Sequence, residues 1–280
     1  MLNSIVLSYI TFIYFFSFLF YFLRMVMGKE ILGRAATWIA IFGLAGHTFA
    51  IVLRWIESYQ MGVGHAPLSN LYESLIFFAW TIVLFHLLIE RKSGNRSLGT
   101  FIMPLAFLTM AYASLSPSIS DRIQPLVPAL QSNWLIAHVV TCFLGYAAFA
   151  VAFALSLMYL LKKLDGAEGK NLFSRLIPSH PVLDDLSYQM VIVGFLMLTI
   201  GIITGAVWAH TAWGTYWSWD PKETWSLITW LVYAALPHSR MVRGWKGKRL
   251  AVFSIIGFCC VLFTYFGVNY LPGLHSYATS

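Results

Sequence analysis

An all-α, polytopic membrane helix bundle of about eight transmembrane helices is the fold class this chain predicts, and three observations predict it. Of the 280 residues, 59% are hydrophobic and only 10% charged, with a mean hydropathy of +0.73, too apolar for a soluble domain of this length. The apolar residues fall into segments near the roughly 20 residues that a bilayer core requires, at 3–23, 35–56, 68–90, 98–116, 133–161, 185–209, 222–237 and 250–271. Lys and Arg collect in alternate loops: 24–34, 91–97, 162–184 and 238–249 hold 15 of the 18. By the positive-inside rule these loops face the cytoplasm and both termini lie on the outer, periplasm-like side. The same asymmetry accounts for the net charge of +7 without a nucleic-acid partner. Residues 1–280 therefore read as a single integral membrane domain.

The first segment has no basic region before it and no small-residue cleavage site after it, and it ends at Arg24, so it reads as a retained helix and not as a signal peptide. The second carries His47 near its middle and Arg54 near its outer end. The third follows Gly64-His-Ala-Pro-Leu-Ser-Asn-Leu-Tyr-Glu73, in which Ser69 or Asn70 can cap the helix and Glu73 sits in the favourable first turn; His86 lies in its inner part. The fourth leads into an outer loop at 117–132, and the fifth carries His138 about one turn inside its outer end. Gly201 and Gly205 form a G-x-x-x-G in the sixth, a close-packing signal. The seventh begins at Asp220-Pro-Lys-Glu223, where Asp220 fits the N-cap, Pro221 N1 and Glu223 N3, a capping box. The eighth ends before Pro272-Gly273, with His275 just beyond. Cys142, Cys259 and Cys260 all fall inside helices without C-x-x-C or metal spacing, so thiol relay chemistry is not expected of this chain.

Between the sixth and seventh segments, an outer loop at 209–225 holds four tryptophans and a tyrosine in thirteen residues: Trp213, Tyr216, Trp217, Trp219 and Trp225. Interface anchoring explains one or two aromatic residues per helix end. A run this dense suggests a flat surface built to lie against a large planar ligand, porphyrin being the natural candidate. Eight histidines sort by depth on this topology. His138 and His275 fall outside, level with the Trp-rich loop, as ligation of a haem iron from both faces requires. His238 sits at the inner end of the seventh helix, while His47 and His86 lie inside the membrane, where ionisable groups are functional suspects but a neutral imidazole also serves as a hydrogen-bonding group. His65 and His210 are near the outer surface, and His180 is in a cytoplasmic loop. Haem carries two propionates, for which the outer side offers Arg54, Arg122 and Lys222, with Lys222 best placed inside the Trp-rich run.

Trp213-Gly-Thr-Tyr-Trp-Ser-Trp-Asp220 followed by Pro-Lys-Glu-Thr-Trp225 resembles the WWD signature of haem-handling proteins in cytochrome c maturation. With Gly64–Glu73, the stretch from His138 to Phe143-Leu-Gly-Tyr146, Leu236-Pro-His238 and Leu271-Pro-Gly-Leu-His275, the whole chain resembles the CcsA/ResC family, one half of the System II cytochrome c synthase. That resemblance implies a haem-translocating subunit. It would present haem b, a transient substrate, on the outer face for thioether attachment to a Cys-x-x-Cys-His apocytochrome c. It implies axial ligation by His138 and His275, a membrane-level site at His238, and haem contacts from Trp213, Tyr216, Trp217, Trp219, Asp220, Lys222 and Trp225. It further implies a CcsB/ResB-like membrane partner, a thiol-reducing partner for the apocytochrome, and residence in a bacterial inner membrane or a thylakoid. No general base is assigned. Two alternatives stay open: a CcmC-like haem delivery or export protein without ligase activity, a branch with six helices, and a bis-histidine transmembrane electron carrier.

Overall fold

The computed structural model describes residues 2–164 and 175–273. Among these residues all regular structure is helical. Eight long helices follow one another: α1 (Leu2–Met27), α2 (Glu30–Gln60), α3 (Leu71–Ser93), α4 (Gly99–Leu115), α5 (Asn133–Leu164), α6 (His180–Trp213), α7 (Pro221–Arg243) and α8 (Lys248–Tyr265), with 3-10 turns at Arg96–Leu98, Pro128–Leu130 and Gly267–Tyr270. Each expected segment is a helix, and seven are long and apolar enough to cross a membrane, making this an integral membrane protein. The exception is α7. At about 1.5 Å per residue its 23 residues reach about 35 Å, enough to span, but its face carries Lys222, Glu223, Arg240 and Arg243 among the apolar residues. It also runs beyond the expected end at 237, passing through Pro237 to a left-handed Gly244 that caps it. A proline forfeits one backbone bond and does not stop a helix held by neighbours.

The described chain divides into two compact units, Met1–Pro125 with Met158–Leu183, and Leu126–Leu157 with Asp184–Ser280. In the first, α1 packs on α2 and α4, and α3 on α2 and α4. The buried stripe of α2 includes Gly33, Ala36, Ala40, Gly43 and Ala50, small residues that let α1 approach. Its interior is polar at both ends. At one end Arg24 pairs with Glu30 at 2.6 Å and donates to Ser97, while the Tyr21 and Thr37 hydroxyls donate to Glu90 at 2.6 and 2.5 Å. At the other, Arg54 Nε meets Glu73 at 2.8 Å with both side chains buried, and its Nη1 donates to Asn3 and to the Asp121 carbonyl. A buried charge requires such pairing.

In the second unit α5 and α6 approach closely: a Cβ on Gly145 would lie 3.1 Å from the Gly194 carbonyl. The polar side of α7 is received by its neighbours. Tyr233 stacks on Phe149 of α5 at 3.4 Å, the Trp230 indole donates to Thr199 of α6 at 2.8 Å, and Thr229 bonds Thr264 of α8 at 2.9 Å. Phe143 and Phe153 of α5 meet Tyr265 and Phe258 of α8. This frame sets the N-terminal end of α5 beside the C-terminal half of α6, with the Trp-rich connection following directly.

Candidate functional site

His138 is the residue around which the site is organised. Its Nδ1 lies 2.7 Å from the carbonyl oxygen of Gly201 on α6. A carbonyl only accepts, so Nδ1 carries the proton and a neutral ring keeps its lone pair on Nε2. That is how a metal-binding histidine is ordinarily set, with one ring nitrogen donating to a backbone oxygen and the other presented outward. The ring stacks on Trp208, 6.0 Å between centroids and 13° between planes. Trp208 in turn meets Trp213 at 4.8 Å, edge to face, and its indole N–H donates to the Ala129 carbonyl. Thus His138 and the first tryptophan of the run share one aromatic cluster.

The Trp-rich run is shorter as a loop than the sequence suggests. Trp213 closes α6, Pro221 opens α7, and Trp225 already lies on α7, packed on Phe263 at 4.2 Å. The capping box is present: Lys222 N–H donates to the Asp220 carboxylate at 2.9 Å and Asp220 N–H to Glu223 at 3.2 Å. Ser218 N–H also donates to Glu223, at 2.7 Å, tying the loop to the first turn. Within it Tyr216 and Trp219 are 57% and 68% exposed. Trp219 has φ 60°, the one non-glycine residue with positive φ among those described, a conformation a bulky side chain adopts only under constraint. Trp217 and Trp219 stand at 90° to each other, so the rings form two walls and not one flat plane. Tyr216 stacks on His210 at 4.2 Å.

The remaining expected residues separate clearly. Lys222 lies within electrostatic reach of His138 and Cys142. His238 is exposed on the last two turns of α7, within the helix and not at its end. His275 lies outside the described residues; of the residues before it, Gly273 lies against the base of the Trp-rich loop, where a Cβ on it would collide with the Asp220 carboxylate and come within 3.1 Å of Pro221. In the first unit Asn70 is the N-cap of α3, accepting from Glu73 N–H, and Ser69 donates to the Glu73 carboxylate. Arg54 is committed to that carboxylate. His47 bonds Tyr14 at 3.0 Å, His86 bonds Tyr21 at 3.2 Å, and His65 faces the Ala66 and Gln124 carbonyls. His180 packs edge-on against Tyr159.

Sequence reasoning missed the surroundings of His138. Gly201 supplies a carbonyl, Gly205 leaves room, and Trp208 supplies a parallel ring. A signal existed, because 201, 205 and 208 follow the i, i+4, i+7 spacing of one helix face; read alone, the G-x-x-x-G announces packing without naming what is packed. Cys142 Sγ, one turn along α5, is 3.6 Å from His138 Nδ1, and a Cβ on Gly201 would lie 2.6 Å from that sulfur.

Comparison with known proteins places this arrangement. Residues 68–275 match the protein family described as Cytochrome C assembly protein. The cytochrome c biogenesis protein CcsA of Pyropia yezoensis is 41% identical over 284 residues, covering 88% of each chain. That of Synechococcus sp. strain CC9902 is 45% identical over 258 residues, covering 82% of each. That of Mesostigma viride is 41% identical over 267 residues, 85% of this chain and 86% of its own. Among solved structures, the cytochrome c haem lyase CcmF superposes with a TM-score of 0.72 at 17% identity, covering 94% of this chain and 46% of that one. This chain spans about half that protein's length, and at such identity the likeness shows the fold alone. The chain belongs to the cytochrome c assembly protein family and, within it, to the CcsA proteins.

Proposed function

We propose that this chain is the haem-handling subunit of a cytochrome c synthase, receiving haem b within the membrane and presenting it on the outer face for covalent attachment to apocytochrome c. The observation that carries the proposal is the state of His138, whose Nδ1 is spent on the Gly201 carbonyl, which leaves the Nε2 lone pair for an iron in a ring that shares one aromatic cluster with Trp208 and Trp213. A neutral imidazole donor next to aromatic side chains suits an iron porphyrin. His275, two residues beyond Gly273 in the chain, is the second axial ligand. Tyr216, Trp217 and Trp219 wall the macrocycle, Lys222 takes a propionate, and Trp213, Asp220 and Trp225 fix the loop to α6 and α7. His238, exposed on α7, contributes to a membrane-level site whose second ligand comes from a CcsB/ResB-like subunit.

The contribution of the chain to the chemistry is proximity and orientation. Two thiols of a Cys-x-x-Cys-His peptide, kept reduced by a separate thiol-reducing protein, add across the two vinyl groups, each S–H supplying sulfur to one carbon and hydrogen to its neighbour. The host membrane is a bacterial inner membrane or a thylakoid. Co-expression with a CcsB-like partner and a c-type reporter, in a host stripped of its own maturation genes, tests the proposal. Haem that stays on the reporter through denaturation is expected. Good expression of both subunits with no covalent haem contradicts the synthase role, and haem passed on without attachment would mark a delivery protein.

A further inference from the structure

We propose that α6 holds the His138 imidazole in a preset slot, with Gly205 and Trp208 as positioning residues that aim Nε2 before any ligand arrives. The inference rests on His138 being an iron ligand, and it concerns what makes the ligand effective. Three features of one face of α6 meet the ring. The Gly201 carbonyl takes the Nδ1 proton at 2.7 Å. Gly205 has no side chain where one would overlap the imidazole: its Cβ would lie 2.5 Å from Nδ1, 2.7 Å from Cε1 and 3.3 Å from Cγ. Trp208, 3% exposed and anchored through its indole to Ala129, lies parallel to the ring within 13°. Together they fix the tautomer, leave one ring orientation and remove its rotational freedom in advance, which is what preorganisation of a ligand requires.

An iron held by His138 would be bonded through the Nε2 lone pair, which lies in the imidazole plane. Trp208, nearly parallel to the imidazole and buried, serves as a wall for the histidine, while Tyr216 and Trp219 remain exposed. A methyl group on residue 205 cannot be accommodated without turning the ring, and turning the ring would re-aim the Nε2 lone pair that is to hold the iron. Disturbing the outer support of a metal-binding histidine lowers affinity about 10- to 100-fold.

The test compares Gly205→Ala with His138→Gly and with Gly194→Ala, a packing control on the same helix pair whose Cβ would meet the Phe149 ring. Haem affinity of the purified proteins is measured with and without added imidazole, alongside nitrogen NMR of selectively labelled histidine in the haem-free protein. Gly205→Ala is expected to lose haem affinity about 10- to 100-fold, to recover with imidazole as His138→Gly does, and to lose the single Nδ1-protonated His138 tautomer of the wild type. Gly194→Ala is expected to keep that tautomer and to show no imidazole response. Wild-type affinity in Gly205→Ala, or a loss that imidazole does not restore, overturns the slot. Retention of haem by His138→Gly instead overturns the ligand assignment, and the haem-free tautomer measurement still decides the slot by itself.

Discussion

At the residue scale the account turns on a few side chains whose roles separate by what they touch. His138→Gly is expected to lower cytochrome yield, and added imidazole to restore part of it, because the small molecule replaces the missing donor; yields equal to wild type with and without imidazole would remove His138 from the iron. Trp219 makes a second case. Its positive φ costs on the order of 1–3 kcal/mol in a non-glycine residue, while its exposure means little packing is lost on truncation. Trp219→Gly should therefore leave thermal stability unchanged or raised by up to about 1 kcal/mol while reducing bound haem, checked by thermal unfolding and haem content of one preparation. Lower stability with intact haem binding would make the conformation a structural matter only. His138 was legible in the sequence because its depth matched the Trp-rich run. Gly205 and Trp208 were not, since their meaning depends on facing one ring 67 and 70 residues away in the chain, and the environment of Arg54 was hidden for the same reason: its carboxylate partner comes from another helix.

At the scale of elements, the capping box at the start of α7 ties the loop to the helix and was readable directly from Asp220-Pro-Lys-Glu223. Asp220→Ala should destabilise the protein by about 1 kcal/mol, the typical worth of an N-cap, and weaken haem binding further by loosening Ser218 and Trp219. Asp220→Asn, which keeps an acceptor, should retain most of both. Equal behaviour of the two variants in thermal unfolding would show that the charge matters and the cap does not. The far end of α7 was misread. Pro237 looks like a stop when only the local chain is considered, but Tyr233 stacked on Phe149 before it and Arg240 bonded to Asp184 and Asp185 after it hold the helix on both sides of its weak point. Packing between helices overrides the local signal, and packing is what a single sequence does not display.

For the molecule as a whole, composition and charge asymmetry sufficed to give a bundle of membrane helices, because bilayer thickness and positive-inside sorting act on the chain segment by segment. They did not reveal the polar interior of the first unit. Arg54 and Glu73 are a buried pair, so Arg54→Met alone strands a carboxylate and should cost about 3–5 kcal/mol, whereas Arg54→Met with Glu73→Met should recover most of it. Thermal unfolding of the single and double variants checks this, and equal losses would mean that the two side chains act independently. Sidedness is open to a direct check in a background with Cys142, Cys259 and Cys260 replaced. A cysteine at Ser218 should react with a membrane-impermeant maleimide from the outer side, and one at Lys246 only after the membrane is opened. The reverse pattern would invert the topology and with it the side on which the Trp-rich loop lies.

The most direct measurement is the absorption spectrum of the protein purified in mild detergent with a CcsB-like partner, as wild type and as the His138→Gly/His275→Gly variant. The account predicts co-purified haem with a bis-histidine spectrum in the wild type, lost from the variant and partly regained with imidazole. A wild type that carries no haem, or a double variant with the wild-type spectrum, would contradict the outer site and leave the Trp-rich loop as an anchor at the membrane surface.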